Sequence, residues 1–243
     1  MKKRVLIFGD SNVWGYIPGS GQRFPENIRW TGVAAQLLER DCVILEDGVS
    51  SRATIYDDLR FSCRNGKTGL GYTLAAQAPL DLVVLSLGIN DLKYGDAVAS
   101  RKGLEELIRL LENADACFPL PGSSRNFPQG LKLLVLSPIH LHPRISELWP
   151  DSSLRNSYNE SLKYAELYAK AAKEHGAWYL NTADYAAPSP VDGVHMDAGG
   201  LALYVIRELD CVVDRLYVVA VRQVDDVPAK GIKLGAEALA VAH

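Results

Sequence analysis

The chain of 243 residues has a formal net charge of −3 and a sequence pI near 6.0, which gives no electrostatic basis for binding nucleic acid or an anionic membrane surface. Hydrophobic residues make up 48% and charged residues 23%, an ordinary balance for a globular protein, and the length suits one large domain. No apolar run approaches the length of a membrane span.

The start of the chain and its cysteines indicate where the protein is located. Met1 and the basic residues 2–4 are followed by only four apolar residues, 5–8, which is too short for the apolar region of a signal peptide. The four cysteines are far apart and form no CxxC pair: Cys42, Cys63, Cys117 and Cys211. This spacing argues against a zinc site and against a disulfide framework, and it favours a cytoplasmic location.

Five apolar runs of strand length follow one another along the chain: residues 4–8, 42–46, 82–87, 131–137 and 177–180. Most are continuous rather than alternating, which is typical of parallel strands covered by helices on both faces. Apolar periodicity and end signals predict helices over four further segments: 31–40, 101–113, 152–176 and 198–216. This alternation predicts a single doubly wound α/β domain.

Two long connections and the C-terminal tail stand apart from this pattern. Residues 119–130 and 138–151 are rich in proline and polar residues, and loops of this length are typically lids or interfaces. The second loop also contains four apolar residues: Leu141, Ile145, Leu148 and Trp149. It either packs on a neighbouring subunit or folds back on its own domain. A break near residues 225–228 predicts a domain over 1–221 and a tail over 222–243, either an appended arm or a disordered end.

Ser11 directly follows the first predicted strand, and it is a candidate nucleophile because ligand sites of open α/β sheets lie at the carboxyl ends of the strands. Of the five histidines, only His195 has an aspartate, Asp192, three residues before it. Residues at that spacing on one turn share a face, so Asp192 can accept Nδ1–H of His195 and leave Nε2 to take a proton from Ser11. Taken alone, such a pair is also an ordinary surface Asp–His pair in a loop.

Two other strand ends offer hydrogen-bond donors for an oxyanion. Asn90 follows the run 82–87, and its side-chain amide can donate at the edge where Ser11 lies. The run 42–46 leads to Ser51, whose backbone N–H can donate at the same edge, and the N–H of Ser11 is a third donor. Each segment alone is a normal strand-end turn. Their combination with Ser11 and His195 predicts one catalytic constellation.

Three motifs resemble blocks I, III and V of the SGNH (GDSL-type) hydrolase family: Gly9-Asp10-Ser11, Gly88-x-Asn90-Asp91 and Asp192-x-x-His195. Ser50-Ser51-Arg52 stands in the place of block II, where the family usually has glycine at the position of Ser51. The donor at that position is a backbone N–H, so the substitution retains it while adding a side chain beside the acyl pocket.

Within the family the chain most resembles the intracellular arylesterase and acyltransferase branch, through Trp14-Gly15 and Arg29-Trp30-Thr31-Gly32-Val33. The resemblance implies a three-layer α/β/α sandwich with a central, mostly parallel sheet of flavodoxin-like type. It also implies hydrolysis of small esters without metal or cofactor, acyl transfer to alcohols in some relatives, and a homo-oligomer.

Weaker signals concern turns and single residues. Residues 66–68, Gly-Lys-Thr, echo the end of a P-loop, but its first glycine is missing, so we predict a turn. Asp10 and Asp91 are expected to brace turns by Asx-type hydrogen bonds rather than to hold a cation. Arg52 either binds an anionic acyl group or has a structural role. Trp14, three residues after Ser11, is the candidate substrate-binding residue, although tryptophans more often belong to the core.

These observations favour a serine esterase that acts on a small-molecule ester, with Ser11 as nucleophile and Asn90 and Ser51 beside it. An acyltransferase would use the same acyl-enzyme, and the two differ in pocket polarity and water access. A non-catalytic ligand-binding protein on the same scaffold is the alternative from another class, since fold does not determine function.

Overall fold

The computed structural model describes residues 2–197. The predicted apolar runs form five strands: β1 Lys3–Gly9, β2 Cys42–Gly48, β3 Leu82–Ser86, β4 Leu133–Ser137 and β5 Trp178–Asn181. They make one sheet in the order β2-β1-β3-β4-β5, and every pairing is parallel. This is the flavodoxin-like order of a doubly wound sheet, so the predicted sheet type is confirmed.

The side chains of β1 show why the sheet needs cover on both faces. Successive residues of a strand point to opposite sides. Leu6 and Phe8 lie in one buried cluster, while Val5 and Ile7 lie in another on the opposite face. All four are fully buried. A sheet with two apolar faces is stable only between two helical layers.

Eight α-helices and three 3₁₀ turns are seen within residues 2–197. The helices are α1 Ser11–Trp14, α2 Trp30–Leu37, α3 Gly66–Gln77, α4 Ala97–Glu112, α5 Ala114–Cys117, α6 Ile145–Leu148, α7 Tyr158–Ser161 and α8 Tyr164–Glu174. The 3₁₀ turns are Ser62–Arg64, Ile89–Lys93 and Thr182–Asp184. Helices α3, α4 and α8 pack on the face that carries Leu6 and Phe8, and α2 packs on the other face. The three-layer α/β/α arrangement implied by the family resemblance is therefore confirmed.

The structure corrects several predicted boundaries. Helix α2 ends at Leu37, three residues before the predicted end. Helix α4 begins one turn earlier than predicted, at Ala97, because the Asp96 carboxylate caps it by accepting the N–H of Ala99 at 2.8 Å. The predicted helix over 152–176 is divided between α7 and α8. The side chain of Ser152 accepts the N–H of Leu154 at 3.1 Å, in a local turn and not at a helix start.

The predicted turn at residues 66–68 is wrong, since these residues open the twelve-residue helix α3. Asn65 caps this helix by accepting the N–H of Thr68 on its side-chain oxygen at 3.2 Å. The predicted helix over 198–216 and the tail over 222–243 lie outside the described residues.

The long loop over 138–151 folds back on its own domain through two of its apolar residues. Leu141 and Ile145 are each 1% exposed and belong to the core cluster that contains Phe8. Trp149 remains 39% exposed. Within the described part of the chain, no helix combines the length and apolar character needed to cross a bilayer.

Candidate active site

Three strand ends meet at one edge of the sheet, because β1 lies between β2 and β3. Gly9 at the end of β1 is in register with Gly48 of β2 and with Ser86 of β3. A Cβ atom on Gly9 would lie 2.2 Å from Cγ2 of Val13 and 2.7 Å from the carbonyl oxygen of Ser86. Only glycine allows this close passage from strand to helix, and the next turn places Ser11 at the sheet edge.

Asp10 shapes the turn that presents Ser11. Its carboxylate accepts the N–H of Asn12 at 2.9 Å and caps α1, which is the predicted Asx-type brace. Asp10 is 4% exposed, and burial raises its pKa to about 6 against the opposing effect of that hydrogen bond and of nearby positive charges.

The structure brings Ser11, Asp192 and His195 into one hydrogen-bonded chain. Nε2 of His195 lies 2.9 Å from Oγ of Ser11, and Nδ1 lies 2.8 Å from Oδ2 of Asp192. All three side chains are buried. A proton on Nδ1 satisfies Asp192 and leaves the lone pair of Nε2 directed at the Ser11 hydroxyl.

The Asp192 carboxylate is held by more than the imidazole. Oδ1 accepts the backbone N–H groups of Val194 and His195, both at 3.0 Å, and Oδ2 accepts the N–H of Gly19 at 3.1 Å. Burial alone would raise the pKa of Asp192, but these hydrogen bonds and the charge of His195 together lower it below its ordinary value. Asp192 is therefore fixed in place and in its charged form.

Tyr16 is a site residue that the sequence analysis missed. Its ring stacks on the imidazole of His195, with centroids 4.1 Å apart and planes inclined by 24°. Tyr16 pairs with Arg23 in a small antiparallel bridge, and the same hairpin carries Gly19 to Asp192. The only available signal was an aromatic residue directly after Trp14-Gly15.

Trp14 lies beside this hairpin. Its ring centroid is 6.2 Å from that of Tyr16, and the Arg23 guanidinium lies 5.5 Å from the Trp14 ring centroid. The residue is half-buried. The described contacts of the Trp14 ring are thus with the hairpin residues that cover His195.

One hydrogen bond joins Asn90 to the turn that contains Ser51 and Arg52. Asn90 is 4% exposed, and its side-chain amide donates one hydrogen bond to the carbonyl oxygen of Arg52 at 3.1 Å. The backbone N–H groups of Ser11 and Ser51 donate to no acceptor within residues 2–197. The backbone N–H groups of Ser11 and Ser51 and the second N–H of the Asn90 amide are thus three donors without an acceptor in this part of the chain.

The backbone at Ser51 has a conformation that favours glycine. Its φ is +66°, and among residues 2–197 no other non-glycine residue has a positive φ. This left-handed conformation costs an ordinary L-residue about 1 kcal/mol, a cost that glycine avoids. Ser51 keeps the backbone N–H in the same conformation that glycine would adopt.

Of the two roles considered for Arg52, binding an anionic acyl group or holding the structure together, its contacts favour the structural one. Its buried guanidinium donates to the carbonyl oxygens of Gly9 and Asp47 at 3.2 and 2.8 Å, and it lies 4.0 Å from the ring centroid of Phe8. A further bond to the Asp47 carboxylate at 2.8 Å completes the contacts. Arg52 therefore ties the end of β1 to the end of β2.

Buried hydroxyl groups hold the turn that carries Asn90. The carbonyl oxygen of Gly88 accepts hydrogen bonds from the Tyr164 hydroxyl at 2.7 Å and the Ser100 hydroxyl at 3.2 Å. The Tyr168 hydroxyl donates to the carbonyl oxygen of Leu87 at 3.0 Å. A Cβ atom on Gly88, whose φ is +137°, would lie 1.9 Å from the Tyr168 hydroxyl oxygen. Side chains of α4 and α8 thus hold this turn in place.

Asp91 joins the Asn90 turn to the segment after Arg52. It is fully buried, and its carboxylate accepts the backbone N–H of Thr54 at 2.7 Å and the Thr54 hydroxyl at 2.6 Å. Burial raises its pKa to about 7, although the hydrogen bonds from Thr54 act in the opposite direction. Asp91 is thus a brace, but through bonds to the distant Thr54 and not through the predicted Asx-type bond within its own turn. With this pKa, a fraction of the molecules has a protonated Asp91 at neutral pH.

Asp91→Asn should make the stability of the protein less dependent on pH. Since the folded-state pKa is raised, the folded protein holds more protons than the unfolded chain between about pH 4 and 7, and stability falls as pH rises through that range. Asparagine can still pair with Thr54 but does not titrate. The free energy of unfolding, measured with urea, should fall from pH 5 to pH 8 by on the order of 2 kcal/mol more in wild type than in the variant. An equal change in unfolding free energy in both proteins would contradict the raised pKa of Asp91.

No group of three or more His, Cys, Asp or Glu side chains within residues 2–197 is arranged to hold a metal ion. Asp10 accepts the backbone N–H of Asn12 in its own turn, and Asp91 accepts that of Thr54.

Comparison with known proteins shows the family of this chain. The model of the GDSL-like Lipase/Acylhydrolase family matches residues 7–203. No curated protein matches the chain.

Several solved structures are similar over most of their length. A carbohydrate acetylesterase family member from Sinorhizobium meliloti is 32% identical, with a TM-score of 0.76 over 88% of this chain and 98% of that chain. The aryl esterase of M. smegmatis is 29% identical, with a TM-score of 0.76 over 86% of this chain and 99% of that one. A carbohydrate acetylesterase from S. meliloti is 29% identical, with a TM-score of 0.75 over 90% and 100% of the two chains. The chain belongs to the GDSL-like lipase and acylhydrolase family and is a carboxylic ester hydrolase.

Proposed function

We propose that this chain is a serine esterase that hydrolyses small carboxylic esters through an acyl-enzyme on Ser11. The observation that carries the proposal is the chain of contacts from Ser11 to His195 at 2.9 Å and from His195 to Asp192 at 2.8 Å. A hydroxyl becomes a nucleophile when an adjacent base accepts its proton, and the base works best when a third group orients it.

The reaction proceeds in two steps. Oγ of Ser11 attacks the ester carbonyl carbon while its proton passes to Nε2 of His195. Collapse of the tetrahedral intermediate breaks the bond to the alcohol, which leaves with the proton from His195. Water then attacks the acyl-enzyme by the same route, releasing the carboxylic acid and restoring Ser11.

Three donors hold the oxyanion of each intermediate: the Asn90 amide and the backbone N–H groups of Ser11 and Ser51. Two observations support this assignment. Each donor group has an N–H without an acceptor within residues 2–197, and Arg52 and Asp91 brace the turns that carry the donors. Preorganised donors of this kind stabilise a developing charge without reorganisation. Trp14 is proposed to line the acyl or alcohol side of the site, together with Tyr16.

Turnover of p-nitrophenyl esters from acetate to octanoate tests the function. We expect hydrolysis of the short esters, and mass spectrometry of acid-quenched enzyme should find the acyl group on the peptide that contains Ser11. The same assay with an added alcohol measures acyl transfer, since a new ester then forms at the expense of acid. Absence of both turnover and adduct would favour a ligand-binding protein instead.

Asn90→Ala should lower kcat roughly 10²–10³-fold with a much smaller effect on KM, because its amide matters most when the oxyanion forms. Asn113→Ala is a matched control, since the Asn113 amide also donates to a carbonyl oxygen, that of Arg109 at 2.8 Å, on an exposed helix end. An effect of Asn90→Ala confined to KM would assign this amide to substrate binding.

Three further features belong to the proposal. The family branch and the exposed Trp149 support a homo-oligomer, for which light scattering should report a mass at least twice the 26.6 kDa of the chain. The free, exposed thiols of Cys63 and Cys117 support a cytoplasmic location. Residues 1–221 form the catalytic domain in this proposal, with 222–243 as an appended tail.

A further inference from the structure

The hairpin that contains Tyr16 contacts all three members of the hydrogen-bonded chain at the site. The backbone N–H of Tyr16 donates to the carbonyl oxygen of Ser11 at 3.0 Å, and the N–H of Gly19 donates to Oδ2 of Asp192 at 3.1 Å. Between these two bonds, the Tyr16 ring lies on the imidazole of His195. The position of the ring is therefore tied to the catalytic residues themselves.

The backbone that carries the Tyr16 ring is fixed on both sides. Tyr16 pairs with Arg23 across the hairpin, and the N–H of Phe24 donates to the carbonyl oxygen of Gly15 at 2.7 Å. Gly15 has a φ of +85°, and a Cβ atom there would lie 2.9 Å from Cβ of Arg29. The ring is thus preorganised in the free protein, so its contact with the imidazole needs no rearrangement during the reaction.

The stack joins a face of the Tyr16 ring to a face of the imidazole. The two centroids are 4.1 Å apart and the planes are inclined by 24°, which leaves no room for a water molecule between the rings. His195 is buried, and Tyr16 is half-buried. The Tyr16 hydroxyl forms no hydrogen bond with any residue in the range 2–197. It is therefore the ring face, and not the hydroxyl, that acts on His195.

The charge of the imidazole changes during the reaction. When Nε2 of His195 takes the proton of Ser11, both ring nitrogens are protonated and the ring becomes a cation. The face of an aromatic ring has a negative electrostatic potential and attracts a cation that lies within about 6 Å of its centroid. This attraction is weaker while the imidazole is neutral. The stack therefore stabilises the transition state more than the free enzyme, which is the condition for raising kcat.

Tyr16 and Asp192 act on different parts of the same imidazole. Asp192 accepts Nδ1–H at 2.8 Å, in the plane of the ring, while Tyr16 lies against the face of the ring. The two contacts do not compete for one atom. Both favour the cationic form of His195, one through a full negative charge and the other through the potential of a ring face.

We propose that Tyr16 is a positioning residue that stabilises the protonated form of His195 through the face of its ring, and so lowers the barrier of both reaction steps. The inference rests on the proposed esterase mechanism and adds to it a residue outside the chain of Ser11, His195 and Asp192. No bond forms or breaks at Tyr16, so the proton balance of the two steps is unchanged.

Fluorinated phenylalanines at position 16 test this role, since fluorine withdraws electron density from the ring face and nearly preserves the size of the ring. Tyr16→Phe is the parent variant and should keep most of the wild-type kcat, because the hydroxyl has no described partner. Mono-, di- and trifluorinated phenylalanines should then lower kcat in successive steps. Tyr16→Leu, which has no ring face, should lower kcat about tenfold, equivalent to about 1.4 kcal/mol.

Two esters separate an effect on His195 from a contact with the substrate. p-Nitrophenyl acetate has an aromatic ring that could itself stack on Tyr16, whereas ethyl acetate has none. Ethoxide is also a poor leaving group, so a chemical step limits kcat for this ester. We expect the same stepwise fall in kcat with both esters. Tyr72 on α3 is the matched control, because it is 76% exposed, and the same fluorinated series there should leave kcat unchanged.

The outcomes distinguish this role from the esterase function. An equal kcat in Tyr16→Phe and all its fluorinated forms would assign the ring to packing and overturn the proposal, even where Tyr16→Leu fails to fold. A fall in kcat confined to p-nitrophenyl acetate would assign Tyr16 to substrate binding and also overturn it. Neither result affects the esterase function, which fails only if hydrolysis survives Ser11→Ala.

Discussion

Ser11→Ala should lower kcat for ester hydrolysis by about 10⁴-fold or more while the protein remains folded. The nucleophilic oxygen is lost, and only substrate binding and oxyanion stabilisation remain. The fold is expected to survive, because Ser11 contributes one side-chain hydrogen bond, to His195, at the end of a strand. Circular dichroism and a thermal melt check folding, and p-nitrophenyl acetate turnover measures the loss.

Ser153→Ala is a suitable control for this substitution, because Ser153 is exposed and lies in a turn far along the chain. It should have wild-type activity. Near-normal activity of Ser11→Ala, measured on protein free of contaminating esterases, would remove Ser11 from the mechanism. The loss of the acyl adduct in the same variant is an independent measurement of the same step.

The sheet could be predicted from the sequence because its signal is local. Continuous apolar runs between helical segments predicted all five strands, and the ends of three of them coincide with the polar residues of the site. The Asp192–His195 pair was also predictable, since its spacing of three residues places both side chains on one turn.

Helix α3 was missed because its glycines lower helix propensity. Gly66 and Gly71 are glycine for packing reasons: a Cβ on Gly66 would lie 2.7 Å from the carbonyl oxygen of Ala53, and one on Gly71 would lie 2.6 Å from the ring of Phe118. Tertiary contacts therefore override local propensity in this segment. A single sequence contains no signal of these approaches.

The residues that support the site could not be predicted from the sequence, because they too depend on long-range contacts. Tyr16 reaches His195 through contact between residues far apart in the chain, and Tyr164 reaches Gly88 across 76 positions. On α8 both Tyr164 and Tyr168 follow the apolar periodicity, so the sequence predicts their burial and not their hydrogen bonds. Residues that position others through long-range contacts require the structure.

Asp192→Asn should lower kcat to a similar degree, on the order of 10⁴-fold. An asparagine can keep one oxygen on the N–H groups of Val194 and His195, which leaves its NH₂ group facing Nδ1 of His195. That contact favours the tautomer with the proton on Nε2, and this nitrogen can then no longer accept the proton of Ser11. The NH₂ group would also face the N–H of Gly19, two donors in contact.

The pH dependence separates this effect from a simple loss of charge. In wild type Asp192 stays ionised at neutral pH, because its pKa is lowered. Asp192→Asn should remain slow even at pH 8, because the imidazole is held in the wrong tautomer. Asp184→Asn, an exposed aspartate that accepts a hydrogen bond from Asn181 at 2.8 Å, should be unaffected. Full activity of Asp192→Asn at pH 8 would assign Asp192 to loop structure alone.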